Sequence, residues 1–196
     1  MLPLTDLPIS FAHAWHSLPT QQPAQVPWPL ALDGVVEHPQ TLSYQHLLHC
    51  PQAYQPRRIV SADGWTYKTG WHGVLLKQLL ARVSVAQQCQ YVRQVNRHGH
   101  EQLLPLKELL DNDALLITHL EQEPLHPAYG GPVRLVSFSH VWEASVPQLT
   151  RLEFVSKATK EEQAQMEGLR IQPSKVYAYD LKALKSIEKP GEVKTF

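Results

Sequence analysis

Apolar residues in this 196-residue chain come in runs of strand length, and turn signals cut nearly every run short. Trp28-Pro-Leu-Ala-Leu-Asp-Gly-Val-Val36 reads as a strand entered by proline and broken at Gly34. Arg57–Ser61 reads as another, with Asp63-Gly64 as its turn. Gln90–Val95 is a strand turned by Asn96–Gly99; Ala114–Thr118, Val133–Phe138 and Leu149–Val155 follow the same pattern. Helical spacing is brief. Leucines 75, 76, 79 and 80 share one face of a helix over Val74–Leu80. Thr41 or Ser43 is placed to cap a short helix through Leu48. Leu106–Leu110 and Glu161–Leu169 are the other helical stretches. Many short strands with a few short helices between them indicate an α+β fold.

Composition narrows the function classes. Lys plus Arg balance Asp plus Glu at 18 each, so no global field draws nucleic acid or an anionic membrane. Any anion site must be a local pocket. There is no apolar run of about 18 residues and hence no membrane span. Met1–Asp6 lacks a basic or apolar leader pattern, and two cysteines, Cys50 and Cys89, make no disulfide scaffold; a cytoplasmic protein is expected. Residues 1–27 hold five prolines and read as an extended arm. Residues 28–155 form the domain. Residues 156–196 turn Lys- and Glu-rich and read as a C-terminal extension, with Lys175–Asp180 a candidate edge strand and Lys189-Pro-Gly ending the order.

Four segments carry a family likeness. They are Trp28–Pro39, with its Gly-x-Val-x-x-Pro turn; Arg58-Ile-Val-Ser-Ala-Asp-Gly-Trp65 followed by Trp71-His-Gly-Val-Leu-Leu76; Asp113–Leu125; and Gly130-Gly-Pro-Val-Arg-Leu-Val136. In order and spacing, over roughly residues 26–155, this chain resembles the molybdopterin-binding domain of the sulfite oxidase and methionine sulfoxide reductase family. The resemblance implies a mixed sheet with short helices around a pyranopterin cofactor. In that family a cysteine thiolate joins the pterin dithiolene on molybdenum, and the open oxo positions carry oxygen-atom transfer. The segment from Trp71 is then the start of a helix.

The cysteine position is Ser61. A serine alkoxide can bind molybdenum, but it is a harder donor and harder to deprotonate than a thiol. The family's common Asn before Gly-x-Pro-x-Arg is Tyr129, and a Lys before the last strand is Gln148. Arg134 is retained and is the candidate for a cofactor phosphate or an oxyanion substrate. His13 and His16 fall where family members often carry a cofactor-contacting segment. Two readings stay open. In one, Ser61 is the metal-side ligand, with Arg134 and Tyr129 at the cofactor, and a separate electron-transfer protein is the partner. In the other, the molybdenum is lost and the domain is a protein-interaction or assembly module.

Other residues read as structural. Trp28, Trp65 and Trp71 look like packing anchors whose N–H groups need acceptors. His46 and His49, and His98-Gly-His100-Glu101 in a hairpin turn, match no zinc spacing and read as surface histidines. Ser137 and Ser139 lie near His140 without a nucleophile elbow.

Overall fold

The computed structural model describes residues 28–64 and 66–171. The arm 1–27 with His13 and His16, Trp65, the strand expected at Lys175–Asp180 and the Lys189-Pro-Gly end lie outside the described residues.

Among the described residues ten strands make two sheets. The first has the order β2-β1-β10-β5-β6: β1 (Pro29–Gly34), β2 (Gln40–Ser43), β5 (Tyr91–Asn96), β6 (Glu101–Pro105) and β10 (Leu149–Val155). β10 runs parallel to β1 and antiparallel to β5, so the sheet is mixed. The second sheet runs β3 (Ala53–Val60), β4 (Thr66–Leu75) and β7 (Leu115–Leu120). Beyond β7, β8 (Glu123–Pro124) pairs with one end of it and β9 (Arg134–Val136) with the other. The described residues also form four α-helices: α1 (Tyr44–His49), α2 (Leu76–Val83), α3 (Leu106–Asp111) and, after β10, α4 (Lys160–Gly168).

Local chemistry explains most boundaries. Ser43, not Thr41, caps α1: its hydroxyl accepts the His46 N–H, and the His46 ring accepts the Ser43 N–H in return. Thr159 and Glu162 do the same for α4. The hairpin turn at Asn96–Gly99 closes through the Asn96 side chain, which accepts the His98 and His100 N–H groups.

Two expectations fail at one place. The helix read over Val74–Leu80 begins only at Leu76, and Trp71-His-Gly-Val lies inside β4 rather than at a helix start. Val74 and Leu75 pair with Leu116 and Leu115, so sheet pairing overrides the leucine period. Gly73 permits this: a side-chain carbon there would strike the Leu116 carbonyl of β7. Val133–Phe138 shortens to three strand residues.

The second sheet separates two cores. Leu116, Val74 and Leu135 face the larger one, shared with the first sheet and with α1, α2 and α3. Leu115, Ile117 and Val136 face a smaller, aromatic one containing Trp71, Tyr129, Phe138 and Trp142. β7 is buried on both faces, which is why its sequence is a continuous apolar run without alternation. Trp28 and Trp71 find acceptors at the Leu149 and Arg57 carbonyls, at 2.7 and 2.8 Å.

Candidate functional site

β3 delivers Ser61 to the margin of the aromatic core, where it is 2% exposed. The chain turns at once. Gly64 N–H donates to the Ser61 carbonyl at 2.9 Å, with Gly64 at φ +86°. The Ser61 hydroxyl oxygen accepts the Asp63 N–H at 3.0 Å. The turn is then fastened from across the chain. Ala62 N–H donates to a Glu143 carboxylate oxygen at 2.9 Å.

Glu143 stands on a single 3-10 turn, Trp142–Ala144, and Arg134 holds that turn from below. Arg134 Nε donates to the Ser145 hydroxyl at 2.8 Å, and one Nη to the Tyr129 carbonyl at 3.2 Å. The other Nη donates to the Trp142 and Ser145 carbonyls, at 3.3 and 2.5 Å. The guanidinium also lies over the Trp142 ring, 3.7 Å from its centroid. A guanidinium has five N–H groups, and these four contacts engage four of them. Burial pulls its pKa down to about 9 and the Glu143 charge opposes that, so it stays cationic at neutral pH.

Ser61, Arg134 and Tyr129 therefore belong to one assembly, joined through Glu143 and the Trp142 turn. Tyr129 is buried, its hydroxyl pKa raised by burial and by nearby Tyr67. Trp71 meets Phe138 edge-on and Trp142 at a tilt, with ring centroids at 6.3 and 5.9 Å. Arg57 lies 4.3 Å over the Phe138 ring and donates to the Asn112 carbonyl. Gln148 takes a positive φ of 55° just before β10, and its N–H donates to the Gly130 carbonyl. Sequence reasoning misses Glu143, because its contact spans 81 positions and no spacing signals it.

The remaining candidates lie elsewhere. Cys50 caps α1 within the larger core and accepts an Arg82 N–H at 3.2 Å. Cys89 borders an open cleft of about 530 Å³ between α3 and the start of β5. Ser137 and Ser139 both meet His140 Nδ1, at 2.8 and 3.0 Å, and its Nε2 lies 3.3 Å from Glu108. That array fastens the chain after α4: Arg170 pairs with Glu108, and Ile171 N–H donates to the Ser139 carbonyl. No described helix is long and apolar enough to cross a membrane.

Comparison with known proteins identifies the fold and family. Residues 16–163 match the family model described as the oxidoreductase molybdopterin binding domain. An uncharacterized oxidoreductase YuiH of Bacillus subtilis is 30% identical over 59% of this chain and 58% of its own length. The protein-methionine-sulfoxide reductase catalytic subunit MsrP of Xanthomonas campestris is 26% identical over 67% of this chain and 46% of its own. The chain thus spans about half the length of these relatives. In the crystal structure of the sulfane dehydrogenase SoxCD from Paracoccus pantotrophus, one chain superposes with a TM-score of 0.63 at 22% identity. That match covers 68% of this chain and 39% of the other. The fold expected from the four segments is the fold present, and this chain belongs to the oxidoreductase molybdopterin-binding domain family.

Proposed function

We propose that this chain keeps the family fold without a molybdenum centre and works as a protein-binding or assembly module. One observation carries the reading: the polar groups around Ser61 are already engaged within the protein. The family's cofactor brings anionic dithiolene sulfurs and a phosphate, which need cations and free N–H donors. Ala62 N–H is occupied by the Glu143 carboxylate, a like charge to that cofactor. Arg134 has four of its N–H groups on protein oxygens and its face on Trp142. Ser61 offers a buried hydroxyl in place of a thiolate. These residues do not fit the cofactor, and no oxygen-transfer step is derived through it.

In this reading the module sits in the cytoplasm and meets another protein through the arm of residues 1–27 and the extension of residues 156–196, whose α4 packs on the domain through Met166 and the Arg93–Glu162 ion pair. Charge balance argues against nucleic acid as the partner.

A second reading is supported by the position of Ser61 at the end of β3 in a domain of this family. There Ser61 is the molybdenum ligand of a variant oxidoreductase, with Arg134 and Tyr129 beside the cofactor and a separate electron-transfer partner. Expression in a host that makes molybdopterin separates the two. Metal is counted by elemental mass spectrometry and pterin by its fluorescent oxidation product. The module reading expects neither, and near-stoichiometric molybdenum with pterin would overturn it.

A further inference from the structure

The second sheet carries a cluster that the Ser61 assembly does not use. Tyr54 of β3, His72 of β4 and His119 of β7 are register partners, so they form one row across three strands on one face. Val74 and Leu116 continue that face into the larger core, while His72 and His119 stay half-exposed at its rim.

The row is built with care at β7. His72 pairs with His119 but Gly73 pairs with Ile117, so Thr118 is an extra residue, a β-bulge. Fully buried Thr118 turns its hydroxyl to His119 Nδ1 at 2.9 Å. That bond engages Nδ1, the second-contact arrangement common to metal-binding histidines, whose other ring nitrogen takes the metal. The Tyr54 ring meets the His72 ring at a 45° tilt with centroids 4.6 Å apart.

Acidic groups flank the pair. Glu121 grips Gly70 N–H and the Thr69 hydroxyl through Oε1. Its Oε2 stands over Gly70: a side-chain carbon there would lie 2.6 Å from the Tyr54 hydroxyl and 2.7 Å from that oxygen. Glu123 follows on β8, paired beside the row. Burial first, and then the neighbouring His72, lower the His119 pKa, with Glu123 opposing. Hydrogen bonds from Gly70 and Thr69 keep Glu121 ionised.

We infer that His72 and His119 bind a first-row divalent cation such as zinc or copper, with Glu121 supplying nearby negative charge. Imidazoles paired across neighbouring strands suit these metals. Among the described residues no group of three His, Cys, Asp or Glu side chains is arranged to hold an ion, so water completes the coordination. The site is independent of whether Ser61 carries molybdenum.

The test is calorimetric titration of zinc into the full chain at neutral pH. The wild type is compared with His72→Asn, His119→Asn and a His98→Asn/His100→Asn control. One saturable site is expected, weakened at least tenfold in either single variant and unchanged in the control. Copper electron paramagnetic resonance gives a readout that does not depend on affinity: two nitrogen donors in the wild type and one in His72→Asn. No saturable heat, or binding that persists in both single variants, overturns the inference. So does a copper spectrum unchanged by His72→Asn.

Discussion

Replacing Arg134 by methionine tests whether this residue holds protein or waits for an anion. The substitution keeps the length of the side chain and removes its charge. Four protein acceptors lose their donor: the Ser145 hydroxyl and the carbonyls of Tyr129, Trp142 and Ser145. At roughly 1 kcal/mol each these sum to about 4 kcal/mol. The desolvated contact with the Trp142 ring adds about 2 kcal/mol. Relief of the cost of burying a cation offsets about 3 kcal/mol of this. The net expectation is a loss of about 3 kcal/mol, or roughly 6–12 °C in Tm for a domain of this size. Urea unfolding of cofactor-free protein, followed by tryptophan fluorescence, measures it directly. A loss below about 1 kcal/mol would refute the reasoning, because a guanidinium reserved for an external anion contributes little to the empty fold. A large loss means that the cation is part of the frame.

Two further outcomes follow from features already described. His140 has its pKa lowered, first by burial and then by Arg170, with Glu108 opposing. Its folded form thus binds fewer protons than its unfolded form, so its contribution is whole above the ordinary value of 6.5 and is lost as the pH falls through the folded pKa. Urea midpoints at several pH values between neutral and mildly acidic should decline accordingly, and His140→Gln should flatten that decline; an equally steep slope in the variant would remove His140 as its source. Gly73→Ala should destabilise the domain by about 1–3 kcal/mol, since the added carbon meets the Leu116 backbone; thermal unfolding would show it, and an unchanged Tm would mean that β4 and β7 separate without cost.

The legible part of the fold was the part set by local chemistry. The α1 cap, the helical stretch of α4, the hairpin turn at Asn96–Gly99 and the apolar run of β7 all follow from neighbours within a few positions. β4 was hidden because Thr66–Gly70 lacks a strong apolar alternation and its leucines fit a helix equally well. The pairing with β3 over Thr66–Gly73 and with β7 over Trp71–Leu75 decides it. The candidate site divides in the same way. Ser61, Tyr129 and Arg134 could be found because ordered motifs frame them. Glu143 and the His72–His119 row could not, since both depend on which strands and turns become neighbours.

The parallel pairing of β1 with β10 has a consequence for how the chain is made. β10 lies at the centre of the first sheet, yet it is the last strand among the described residues, and it separates β1 from β5. A growing chain on the ribosome therefore holds β1-β2 and β5-β6 as two detached hairpins, each with an unpaired edge, until residues 149–155 emerge. Such edges are sticky, and the contacts that close them are among the most distant in sequence. Synthesis halted just before Leu149 would leave fragments prone to pair with one another, whereas a supplied strand of residues 149–155 would be expected to complete the sheet in trans.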